Sequence, residues 1–175
     1  MKQTSLFFDD PDPEPPPKPE PPKQPELWAG GGERYRLARE KGIRDQAVGI
    51  PEDQKEYTDM MAAKAEQLVA QKCGVPFNKQ LGTPNPHEFR LPDGRRVDVK
   101  WTRHETGSLI RYIHAKGDAD IYVLVTGKSL TIRGWAPSKR LLASIRDLGY
   151  GPTYVLHQDE LMPGLSFLET KEVNP

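Results

Sequence analysis

The chain has 175 residues, enough for one domain with a tail, and its 35% hydrophobic content and mean hydropathy of −0.72 are low for a globular protein. Its one cysteine, Cys73, excludes a disulfide framework, a four-cysteine iron–sulfur cluster and a zinc ribbon, and suits a reducing cytoplasm. Formal charge is zero, and no apolar run approaches the roughly 18 residues that span a bilayer, so neither export nor membrane insertion is expected and the expected location is cytoplasmic.

Residues 1–10, MKQTSLFFDD, form a short motif with Leu6, Phe7 and Phe8, and turn acidic at once. Residues 11–25 hold nine of the 18 prolines and no large apolar side chain. Such a stretch buries too little surface to offset chain entropy, so a disordered linker of polyproline II character is expected, reaching about 3 Å per residue. Residues 28–50 form a basic connecting segment: Trp28, a glycine triplet at 30–32, then a short basic helix closed by Gly42. The expected division is therefore a tail over 1–27, the connector over 28–50 and a folded domain over 51–175. Charge follows this division. Residues 1–27 carry three lysines against six acids, whereas residues 95–140 carry ten Lys and Arg against four acids. The basic segment suits a phosphate-bearing partner, though an ordinary solvated face has the same composition.

From Pro51 the pattern becomes regular. Residues 51–74 read as a long helix, with Pro51, Glu52 and Asp53 at its start and Gly74 at its end. Tyr57, Met61, Ala65, Leu68 and Val69 fall on one stripe at helical spacing. A short strand over 75–79 fits next. Residues 87–91 and 95–101 read as two strands around Pro92-Asp93-Gly94. Residues 103–116 are ambiguous between a strand and a short helical turn. Residues 120–126, DIYVLVT, suit a strand buried on both faces. Strands are expected over 130–135 and 153–157, with a helix over 137–149 that places Leu141, Leu142, Ile145 and Leu148 inside. This order predicts an α/β fold, a mixed central sheet flanked by helices.

Candidate chemistry lies between Glu66 and Lys100. Strand alternation puts Val97, Val99 and Trp101 on one face and Asp98 and Lys100 on the other. A two-residue loop at Asp93-Gly94 would pair Phe89 with Asp98 and mix core with polar faces. A three-residue loop at Pro92-Asp93-Gly94 pairs Phe89 with Val97 and Glu88 with Asp98, and its residues suit a type I turn followed by a left-handed glycine. Glu88, Asp98 and Lys100 then converge. Asp93 stays at the hairpin tip, roughly 15 Å of strand from Asp98. Two adjacent carboxylates repel unless a cation sits between them, and a hard ion such as Mg²⁺ accepts such oxygens. The same three side chains would also serve as a plain cross-strand ion cluster.

A helix bearing Glu66, a hairpin bearing Glu88 and the triplet Asp98-Val99-Lys100 resemble the PD-(D/E)XK nuclease superfamily over residues 51–157. The resemblance implies a restriction-endonuclease-like αβββαβ core and a Mg²⁺-dependent DNA nuclease, with Mn²⁺ as a substitute, acting in replication, repair or recombination in a bacterial or phage setting. It makes Asp98 the central metal-binding acid, Lys100 the catalytic lysine, and Glu66 and Glu88 further metal-binding acids. Glu88 stands where the family usually has aspartate. Asp93 is set aside as a turn former despite the literal Pro92-Asp93. Arg95, Arg96, Arg103, Arg111 and Lys116 are candidate DNA contacts, and many small members of the superfamily form homodimers. The alternative is a catalytically inactive DNA- or clamp-binding module of the same fold.

A second resemblance lies in the tail. Gln3-Thr4-Ser5-Leu6-Phe7 is similar to the pentamer that binds the bacterial sliding clamp, which implies that Gln3, Leu6 and Phe7 engage the clamp. A proline-rich tether would then raise the enzyme's concentration at clamp-bearing DNA. The four histidines lack zinc-type spacing with Cys73, the serines lack a nucleophile elbow, and the glycine triplet is not followed by Lys-Ser/Thr.

Overall fold

A computed structural model of the chain describes residue 40 and residues 52–77, 87–115, 119–149 and 151–169. The expectations for the tail, the linker, the connector around Glu40, residues 78–79 and Lys116 lie outside these residues.

Helix α1 spans Glu52–Lys72. Met61, Ala65 and Val69 are buried, as the stripe requires, while Tyr57 at its start is exposed. Gly74 ends the helix at φ +68, with Gly74 N–H donating to Gln71 O and Val75 N–H to Ala70 O. This is the reciprocal pair that closes a helix through a left-handed glycine. Residues 75–77 are irregular rather than a strand.

The hairpin follows the three-residue loop. Strands β1 (Phe89–Arg90) and β2 (Arg96–Thr102) pair antiparallel with Phe89 opposite Val97. Leu91 N–H donates to Arg95 O, Gly94 N–H donates to Leu91 O, and Gly94 takes φ +93. Asp93 accepts from the Arg95 backbone and guanidinium at 3.0 and 2.7 Å, so its carboxylate is spent on the turn.

Residues 108–112 resolve as strand β3 (Ser108–Tyr112), followed by β4 (Ile121–Thr126) and β5 (Thr131–Pro137). The helix expected over 137–149 is much shorter. Helix α2 covers Ser138–Leu142, and the chain then enters strand β6 (Ile145–Asp147), which pairs antiparallel with β7 (Pro152–His157). Leu141 is buried, but Ile145 and Leu148 are exposed. Two interactions favour the strand. The Asp147 carboxylate accepts from Gly149 and Gly151 N–H at 2.8 and 3.2 Å, and Ser144 exchanges backbone and side-chain hydrogen bonds with Val155.

The architecture is mixed α/β with two sheets. The first has order β1-β2-β4-β5, in which β2 and β4 are parallel and the other pairs antiparallel. The second has order β3-β7-β6 and is antiparallel. Every residue of β4 is buried. Val123 and Val125 join Val97, Val99 and helix α1 in one core, whereas Tyr122 and Leu124 join Leu109, Leu141 and Leu156 in a second core under the other sheet. The first sheet is thus covered by α1 on one face and by the second sheet on the other.

Candidate active site

The alternation of β2 that sends Val97 and Val99 to helix α1 sends Asp98 and Lys100 to the opposite face, between the two sheets. The Lys100 ammonium donates to Asp98 Oδ1 at 2.9 Å and lies 2.8 Å from Oδ2. The pair is asymmetric. The Asp98 side chain is 11% exposed and that of Lys100 41%, so the carboxylate is the more deeply recessed of the two.

Glu88 lies just before β1. Its N–H donates to Val97 O at 2.9 Å, and its charge acts on both Asp98 and Lys100. Burial, with the neighbouring charge of Glu88, pushes the Asp98 carboxyl above the ordinary aspartate range against the pull of Lys100 and Arg111. Burial draws the Lys100 ammonium down, but the carboxylates of Asp98 and Glu88, with Tyr122, outweigh it and leave its pKa raised. Lys100 is therefore a fixed cation at neutral pH. The charge of Glu88 thus bears on both members of the Asp98–Lys100 pair.

Glu66 is brought in differently. It is buried on helix α1, whose apolar stripe packs on the Val97–Val99 face, so strand alternation does not deliver it to the side of Asp98. Among the described residues no group of three or more His, Cys, Asp or Glu side chains lies close enough to hold a metal ion. The expected cage of three carboxylates is not assembled, and Glu88 and Asp98 are the acids that lie within electrostatic reach of each other.

The expected DNA contacts divide. Arg95 pairs with Asp93 and donates to Phe167 O at 3.0 Å. Arg96 grips Asp120 through Nε and Nη2 at 3.0 and 2.9 Å, and Asp120 also accepts from the Arg96 backbone. These bonds hold the Asp120 carboxyl down at about 2. Asp120 thereby ties β2 to the start of β4 rather than serving the site directly. Arg103 is exposed and donates to the neutral Gln54 side chain, which leaves its charge uncompensated by that partner. Arg111 is a buried residue, not an open surface contact. It projects from β3, donates to Ala115 O at 3.0 Å and lies over the Tyr154 ring, 5.8 Å from the centroid.

Two aromatic residues near the site escaped the sequence reading. Tyr122 stands beside Asp98 in the parallel register and is fully buried. Tyr154 pairs with Arg111 across β3 and β7. The available signal for Tyr122 was a polar-tipped ring inside an otherwise aliphatic run. Tyr154 had none, because its partner lies 43 residues away in the chain.

No protein-family model matches the chain, and no curated protein matches it. No helix among the described residues is long and apolar enough to cross a membrane.

Proposed function

We propose that the chain is a Mg²⁺-dependent DNA nuclease of the PD-(D/E)XK type, with a restriction-endonuclease-like core built on helix α1 and the β1–β2 hairpin. The observation that carries the reading is the Asp98–Lys100 pair on β2: Lys100 bonds to a recessed Asp98 within reach of the Glu88 charge.

The donor set fits the ion. Two carboxylates, Glu88 and Asp98, offer hard oxygen ligands, and Mg²⁺ is commonly held by one or two carboxylates with water and substrate phosphate completing its shell. Glu88 and Asp98 would hold it. A bound Mg²⁺ supplies Lewis-acid polarisation of a phosphoryl oxygen and of water. The protein's own contribution centres on Lys100. Its ammonium, kept charged by Asp98 and Glu88, orients the attacking water or neutralises charge that builds on the phosphorane. Arg103, exposed beside the start of helix α1, provides a further phosphate contact. Residues 3–7 recruit the enzyme to a sliding clamp, and the setting is DNA replication, repair or recombination.

The test is incubation of the full chain with single-stranded, duplex and branched DNA in Mg²⁺ or Mn²⁺. Cleavage is expected from the wild type, with Asp98→Ala and Lys100→Ala each reducing it by about a hundredfold or more. Wild-type inactivity on every substrate, or variants that cut at the wild-type rate, refutes the nuclease. Deleting residues 1–10 is expected to leave cleavage intact while abolishing clamp binding.

A further inference from the structure

One end of the first sheet gathers cations beside the candidate site. Arg90 of β1 lies opposite Arg96 of β2, and strand alternation puts both on the face that carries Asp98. The row continues across the sheet. Asp120 N–H donates to Arg96 O and Ser138 N–H donates to Asp120 O, both at 2.9 Å, so helix α2 starts at this same end. Leu141 of α2 packs in the second core with Tyr122 and Leu124, which sets the helix on the same face of the sheet. Its Lys139 and Arg140 are exposed, as is Arg90.

Charge is unbalanced here. Asp120, the carboxylate of the row, is taken by Arg96. Arg90 donates to the Gly94 carbonyl at 3.0 Å, and among the described residues none of Arg90, Lys139 and Arg140 pairs with a carboxylate. By contrast, Arg95, Arg133 and Arg146 are matched by Asp93, Glu105 and Glu160. The chain is neutral as a whole, so the excess is local. It is also spread out. Neighbouring strands stand about 4.8 Å apart, so the row from β1 to β5 spans roughly 14 Å. One small anion cannot meet cations over that length, whereas a polynucleotide strand, with a phosphate about every 3.4 Å of helix axis, presents about four. Asp98 lies two residues along β2 from Arg96, about 7 Å. We infer that this end of the sheet is a DNA-backbone track, on which Arg90, Lys139 and Arg140 hold phosphates that flank the cleaved one. This placement rests on the nuclease reading and adds where its substrate lies.

The test follows binding of the full chain to short labelled single-stranded and duplex DNA from about 50 to 200 mM salt, with Ca²⁺ in place of Mg²⁺. For the form bound more tightly, each cation removed is expected to lower the slope of log affinity against log salt by about one. Arg90→Gln thus loses about one, and the triple variant Arg90→Gln, Lys139→Gln, Arg140→Gln about three, with binding weakened for every sequence alike. Arg90→Lys keeps the wild-type slope. Arg146→Gln, on β6 and already paired with Glu160, is the control and keeps it too. Urea midpoints near that of the wild type tie the losses to contacts rather than to folding. A wild-type slope in the triple variant, an equal loss in Arg146→Gln, or a wild type that binds neither DNA overturns the track. Cleavage separates the two claims. DNA cut by the wild type, with slopes indifferent to all three residues, overturns the track and leaves the nuclease standing. Binding that depends on these cations, with no substrate cut, overturns the nuclease and leaves the track standing.

Discussion

Asp98 and Asp120 are two aspartates at the same sheet with opposite surroundings. Burial and Glu88 push Asp98 up against the pull of Lys100. Asp120 is lowered from 3.8 to about 2 by the hydrogen bonds of Arg96. A depressed carboxyl favours the folded state above its unfolded pKa, and the benefit fades as pH falls through its folded pKa. Asp120→Asn is therefore expected to destabilise the protein at pH 6, by about 1 kcal/mol or less because the pair is partly exposed and screened. The gap between variant and wild type should narrow as pH drops from about 4 toward 2. Urea unfolding at each pH checks this, and a gap that stays constant across the window would remove the Arg96–Asp120 pair as its source. Position 98 could be singled out from sequence because alternation and turn chemistry agree there. The roles of Arg95, Arg96 and Arg111 could not, because a basic residue looks the same in sequence whether it meets a carboxylate, a ring or solvent.

The elements that could be read in the sequence are those whose information is local. Pro92-Asp93-Gly94 specifies its turn, and one register leaves Phe89 and Leu91 on the apolar side, so the β1–β2 pairing followed. Helix α1 carried its own stop at Gly74. Residues 143–149 misled because Ile145 and Leu148 repeat at helical spacing while their actual stability comes from β7, a strand later in the chain, and from the Asp147 turn. The β5 strand holds a comparable hidden constraint. Its pairing with β4 slips between Leu124 and Val125, leaving Arg133 as the extra residue, and Gly134 follows at φ +157. A Cβ at Gly134 would collide with the Met162 carbonyl oxygen and with Leu161. Trp135 and Met162 exchange backbone hydrogen bonds at 2.9 Å beside it, so the collision cannot be relieved without losing that bridge. Gly134→Ala is expected to cost roughly 2–3 kcal/mol, read as a lower urea midpoint with an unchanged slope. An alanine variant as stable as the wild type would mean that the 161–162 segment yields freely.

At the scale of the whole molecule, β4 is the member that two cores share. Val123 faces helix α1 and the first core, and Leu124 faces the second sheet. The apolar run of residues 120–126 announces burial on both faces, and every residue of β4 is buried, but it does not say which elements cover each face; that β3 belongs with β7 and β6, and not beside β2, depends on contacts between distant segments. The shared strand makes a physical claim about cooperativity. Loss of either core exposes one face of β4 and removes the support of the other, so the two sheets should unfold together. Val123→Ala and Leu124→Ala are each expected to cost roughly 2–4 kcal/mol and to lower one common transition. Hydrogen exchange in β2 and β7 is the direct measure, because each strand reports on a different sheet. Both should lose protection by the same free energy in either variant. If Leu124→Ala releases β7 while β2 keeps its protection, the second sheet is an independent unit. The distinction matters for the site, because Asp98 belongs to the first sheet and Arg111 to the second. A second sheet that opened by itself would separate the acid from the wall that recesses it, whereas a joint transition keeps the site intact until the whole fold is lost.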